Sequence, residues 1–149
     1  MAVKDRRDRR YDAVRRPTHV QIKVGIMAKD GGAIHDDKSG LTVAELGAIH
    51  EFGAGVPERS FLRAWFEENQ SAVTAQALSR FKVAQAGKAT WQQVADQLAL
   101  WAAAGVQRRI VAGIPPELAQ STIQRKGSST PLINTGVLKS AISGEAAVL

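Results

Sequence analysis

The chain has 149 residues, 44% of them hydrophobic and 23% charged, with no cysteine and a formal net charge of +6. These are globular proportions at a size that suits one domain with its own core, and the missing cysteine excludes disulfides, thiol nucleophiles and cysteine-ligated metals. The longest apolar run, Leu98–Val106, is about half of the ~18 residues a membrane-spanning helix needs, and the charged amino terminus has no apolar signal core, so the chain is expected to remain where it is synthesised.

Residues 1–16 contain seven basic groups (Lys4, Arg6, Arg7, Arg9, Arg10, Arg15 and Arg16) and three acids, so this segment carries +4 and the remainder only +2. It reads as a basic, mobile arm, which can meet nucleic acid, an acidic protein surface or only water. Over Thr18–Met27, Val20, Ile22, Val24 and Ile26 alternate with His19, Gln21, Lys23 and Gly25, the period of a half-buried strand, with Pro17 at its start. Lys29–Gly40 is rich in glycine and charge and reads as an exposed loop.

Four helices are expected next. Thr42 and Glu45 match a capping box for a helix running to Phe52 and stopped by Gly53. Ser60 is the expected cap of a longer helix, with Phe66, Val73, Ala77 and Phe81 on one stripe and Gly87 as its stop. Thr90 and Gln93 form a second capping box, ahead of Trp91, Val94, Leu98, Trp101, Val106 and Ile110, with the end at Gly113. Pro115 and Pro116 suit the first turn of a helix through Lys126, closed by Gly127. Near the end, Thr135 is a candidate cap for a short helix over Val137–Ile142, and Ala146–Leu149 is a candidate edge strand beside the first. The expected fold is α+β: one mostly helical domain over 17–149, a small β-sheet packed on long helices, and the arm over 1–16.

Catalytic chemistry finds no pattern to rest on. His50-Glu51 begins like the zinc-protease helix, but position 54 is Ala and the second histidine is missing. Gly53-Ala-Gly55 lacks the third glycine of a dinucleotide fingerprint and reads as a helix stop and turn. Ser60, Ser128 and Ser129 have no evident base, and Glu117, Gln120, Gln124 and Arg125 make a polar helix face without an acid–base pair. No metal or cofactor is therefore expected, and no enzymatic activity. Arg108-Arg109 and Arg125-Lys126 add two basic clusters to the arm, yet aromatic residues are only 5% and no base-stacking signature is present. The tryptophans, Trp65, Trp91 and Trp101, fall on apolar stripes and read as core.

Two paired segments say more. Ala48-Ile-His-Glu-Phe-Gly53 is followed closely by Val56-Pro-Glu-Arg-Ser-Phe-Leu-Arg63, and Ser121–Gly127 by Pro131-Leu-Ile-Asn-Thr-Gly-Val-Leu-Lys-Ser-Ala-Ile142. In order and spacing, across roughly 42–142, they resemble a bacteriophage virion-morphogenesis family, the neck (head–tail connector) and tail-completion proteins of long-tailed phages. Such proteins look like "HEFG", "IPxRPFLR" and "PLxDTGxLxxSI"; here Val56, Ser60 and Asn134 stand where that pattern has Ile, Pro and Asp. The resemblance implies a non-enzymatic viral structural protein of the virion neck, assembled in the host cytoplasm as a homo-oligomeric ring of six or twelve copies between portal-side and tail proteins. A tail-completion or tail-terminator role is the alternative within that class, and a small basic nucleic-acid-binding protein the alternative outside it. The expected oligomer or partner contacts are Phe52, Arg59, Phe61 and Arg63 around one turn, since aromatics and arginine are enriched at interface hot spots, and Pro131, Leu132, Asn134, Thr135 and Gly136 in a second loop. The first turn could instead simply pin Phe52 and Phe61 onto the core. Arg6, Arg7, Arg9, Arg10, Arg15 and Arg16 would reach a neighbouring ring or packaged DNA; no membrane is involved.

Overall fold

Alanine and glycine decide how the longest elements meet. The computed structural model describes residues 19–34, 40–116 and 136–149. In chain order its elements are β1 (Val20–Ile26), α1 (Ala28–Gly31), α2 (Val43–Phe52), α3 (Arg63–Gln85), α4 (Trp91–Ala112), α5 (Val137–Ala141) and β2 (Ile142–Val148). The central helix α4 packs on α3 and on both strands. Its buried residues include Ala95, Ala99, Ala102, Ala103 and Gly105 beside Val94, Leu98, Val106 and Ile110. Small side chains let its neighbours approach closely. A Cβ on Gly105 would lie 2.2 Å from the Trp65 ring of α3, and one on Gly144 of β2 would lie 2.4 Å from the Ala99 carbonyl oxygen.

The strands form a two-stranded antiparallel sheet, with register running from Val20↔Val148 to Ile26↔Ile142. The core gathers Val43, Phe61, Trp65, Val106, Ile110, Leu138 and Ile142, with Val24, Ile26, Leu62 and Phe66 packed around it. Trp65 meets Phe66 and Trp101 edge-on, at ring-centre distances of 4.9 and 5.6 Å. Trp65 is the buried tryptophan of the three; Trp91 and Trp101 are half-buried.

Both capping boxes form as expected. The Thr42 and Thr90 side chains accept from the backbone N–H of Glu45 and Gln93, whose side chains accept from the cap backbone in return. Gly53 ends α2 in the left-handed region at φ 71°, and Gly87 follows α3 at φ 69°. The α+β expectation, a small sheet on long helices, holds.

Several boundaries differ. The segment read as a loop opens with the single turn α1, and Ile34 bridges to Thr42. A Cβ on buried Gly31 would meet Ala44 and Ile26 at 3.1 and 3.2 Å, so glycine there serves packing and not exposure. Helix α3 starts at Arg63, not at Ser60, and its N-cap Leu62 makes no side-chain cap. The N-cap of α5 is Gly136, at φ 75°, and not Thr135. Strand β2 begins at Ile142 and not at Ala146. Its small residues weaken it as a sequence signal, yet Gly144 is what lets the strand reach α4. The arm, residues 35–39 and, beyond Pro116, the helix expected through Lys126 lie outside the described residues.

Candidate functional site

The corner between α2 and α3 is where the first paired motif folds. At its end α2 turns through Gly53, where a Cβ would crowd the Glu58 backbone at 3.0 Å. The Ala54 N–H donates to the Ile49 carbonyl at 3.0 Å, and the Arg59 N–H to the His50 carbonyl at 2.8 Å. These bonds fold residues 53–59 back alongside the helix they leave.

Glu51 closes the corner. Although it lies between Ile49 and Phe52 and is only 5% exposed, its carboxylate accepts four hydrogen bonds. The Ser60 hydroxyl donates at 2.8 Å, and the backbone N–H groups of Phe61, Leu62 and Arg63 donate at 2.8, 3.0 and 2.9 Å. Three of the donors are amides at the start of α3, which otherwise lack intrahelical partners. An anion at this end is also favoured by the helix dipole. Ser60 completes the arrangement, its oxygen accepting from the Ala64 N–H at 3.0 Å. So Ser60 satisfies a helical amide, as expected of a cap, but from a position two residues before the N-cap. Burial pushes the Glu51 carboxyl up, but the bonds from Leu62, Arg63, Ser60 and Phe61 together outweigh it, and its pKa falls below the ordinary glutamate value. Glu45 is lowered too, by its backbone and side-chain bonds from Thr42.

The expected contact residues separate sharply. Phe61 is 1% exposed and belongs to the core. Arg59 is buried as well, its Nε and Nη2 donating to the Pro116 carbonyl at 3.2 and 2.9 Å. Neither is available to a partner: the corner spends both on holding itself to the core and to the chain after α4. Arg63 is half-exposed and pairs with Glu58. Phe52 alone of the four projects as a free apolar side chain, 68% exposed. Gly136 is half-buried at the start of α5, while Pro131, Leu132, Asn134 and Thr135 lie outside the described residues, as do the six arginines of the arm.

Glu51 is the residue that sequence reasoning missed. It was legible only as half of an incomplete zinc motif. The signal available was a carboxylate one residue before an apolar helix end, with a second helix starting about ten residues later.

No group of three or more His, Cys, Asp or Glu side chains able to hold a metal occurs among the described residues. No helix among them is long and apolar enough to cross a membrane. The basic pair on α4 splits: Arg108 is exposed, but Arg109 donates to the Ser60 carbonyl at 3.2 Å and pairs with Glu68. What the corner can do chemically is hold a rigid shape and present Phe52. No family model, curated protein or solved structure matches this chain.

Proposed function

We propose that this chain is a structural subunit of a phage virion, a homo-oligomeric ring at the head–tail joint linking the portal-side complex to the tail. The reading starts from the resemblance of the paired motifs. The observation that carries it further is that the two halves of the first motif, 48–53 and 56–63, are one hydrogen-bonded unit closed by Glu51. The interval between them has a physical reason, because it lets a carboxylate at the end of α2 meet the amides that lead into α3. A corner so braced holds Phe52 outward at 68% exposure on a rigid mount. A pre-organised apolar anchor loses little entropy on docking, which suits an assembly contact. Arg59 and Phe61 then serve the corner from within.

Head-to-tail contacts between identical subunits close into a ring when their rotation divides the circle. The +4 segment at residues 1–16 would reach a neighbouring ring or DNA in the channel. The test is removal of the gene from the parent phage, followed by electron microscopy of the lysate. Filled heads and finished tails found unjoined support the joint. Unjoined tails of uncontrolled length move the protein to the tail terminator. Normal infectious particles refute the reading, and salt-sensitive binding of random DNA by the body without residues 1–16 would replace it with a nucleic-acid-binding role.

A further inference from the structure

The two edges of the sheet are unequal. His19 and Leu149 exchange both backbone hydrogen bonds, at 3.2 and 2.7 Å. In an unbroken antiparallel register, bonded and non-bonded pairs alternate, so Gln21, Lys23 and Gly25 face β2 with their N–H and C=O groups. Val20, Ile22 and Val24 turn theirs outward. On the other strand the outward groups belong to Ile142, Gly144, Ala146 and Val148.

Helix α4 closes the β2 edge. Gln107 Nε2 donates to the Ile142 carbonyl at 2.9 Å and Gln92 Nε2 to the Ala146 carbonyl at 3.0 Å. Between them Gly144 lies against Ala99. A strand adding there would have to displace both glutamine bonds. The outward groups of Val20, Ile22 and Val24 have no such partner among the described residues. Their side chains, on the face that β2 lays on α4, are only half-buried. An open edge beside half-covered apolar residues is a template for one more strand.

We infer that the β1 edge is a docking site for an extended segment of a second protein, one that alternates apolar with acidic residues. Apolar residues of the incoming strand would continue the face formed by Val20, Ile22 and Val24. On the opposite face Lys23 is exposed, with Glu145 across from it on β2. Lys23 would sit at a non-bonded pair of the new ladder, where facing side chains come closest, so an acid opposite it is favoured and a base disfavoured. A second copy fits less well. Head-to-tail pairing of β1 with another copy's β2 would cost the Gln92 and Gln107 bonds, and pairing two β1 strands brings two Lys23 ammonium groups onto one face. The inference is independent of the virion reading, since the edge geometry is the same whatever the protein joins.

Amide exchange of the full chain, followed residue by residue in solution, tests it. In the free protein Gln21, Lys23 and Gly25 are expected to be protected while Val20, Ile22 and Val24 exchange freely. A short peptide alternating valine and glutamate should slow Val20, Ile22 and Val24 by tenfold or more, whereas one alternating valine and lysine should not. Methylating a single peptide nitrogen that faces β1 should weaken binding about tenfold, the loss of roughly one hydrogen bond's worth of free energy. Lys23→Glu should reverse the preference between the two peptides. Protection of Val20, Ile22 and Val24 in the free chain at every dilution would overturn the proposal in favour of the chain's own residues. Protection that grows with protein concentration would overturn it in favour of a second copy. No response to either peptide would overturn it outright.

Discussion

Glu51→Ala tests the corner directly. The substitution strands the Ser60 hydroxyl and the Phe61 amide, both buried, and the part-buried Leu62 and Arg63 amides. Water can reach the part-buried pair, so the main loss comes from the two buried donors at about 1–2 kcal/mol each. Removing a charge that complements the α3 dipole adds about 1 kcal/mol. The expected loss is therefore about 3–5 kcal/mol, a large share of the ~5–15 kcal/mol typical of a domain. Glu51→Gln keeps the shape and one acceptor but turns an NH₂ toward donors, and should cost about 2–3 kcal/mol. Urea unfolding gives the number, read as a shift in midpoint at constant slope. A Glu51→Ala protein within about 1 kcal/mol of the parent would refute the account, because the four bonds would then contribute nothing net.

Acid should expose the same group. Glu51 has a depressed pKa in the folded chain, so its contribution is present above the unfolded value of about 4.3 and is lost as pH falls through the lower folded value; Glu51→Gln should flatten that part of an acid-unfolding curve. Two glycines separate hard from soft crowding. Gly105→Ala drives a methyl into the Trp65 ring and should cost about 1–3 kcal/mol, whereas Gly47→Ala meets the free end of Ile26 at 2.4 Å and should cost clearly less, both by thermal or urea unfolding. Arg59→Lys should destabilise by about 1–2 kcal/mol, since an ammonium cannot reproduce the paired Nε and Nη2 bonds to Pro116. Phe52→Ser should leave the unfolding midpoint nearly unchanged, by about 0.5 kcal/mol or less, while particle assembly in a complementation assay fails.

Local rules carried well wherever the physics was local. Thr42 with Glu45, and Thr90 with Gln93, announce helix starts because each box is completed within four residues. Gly53 and Gly87 announce stops because each takes a left-handed φ that glycine adopts at no steric cost. The misses share one cause, a partner distant in the chain. Gly31 fell in an expected loop and Gly144 between two expected elements, and both are small because α2 and α4 pass close by. Ser60 does accept from a helical amide, but its hydroxyl also donates to Glu51, a partner its neighbours in sequence do not reveal. Arg59 and Phe61 have the residue types of an interface, and burial against Pro116 and the core cannot be read from type.

The same distinction bears on how a short motif should be understood. Of the contact residues read from His-Glu-Phe-Gly and Arg-Ser-Phe-Leu-Arg, Phe61 and Arg59 are internal, Arg63 is tied to Glu58, and Phe52 is left outward. Most of the motif is thus spent on geometry: a helix end, a left-handed turn and a carboxylate reaching the next helix. A site of this kind has two separable failure modes. Loss of Glu51 should unmake the mount and so act on stability and on assembly together, whereas loss of Phe52 should act on assembly alone. If both substitutions changed stability equally, Phe52 would be part of the mount and the outward anchor would have to be sought elsewhere. The β1 edge, built from different residues and without a hydrogen-bonded strand among the described residues, would then be the next surface to test.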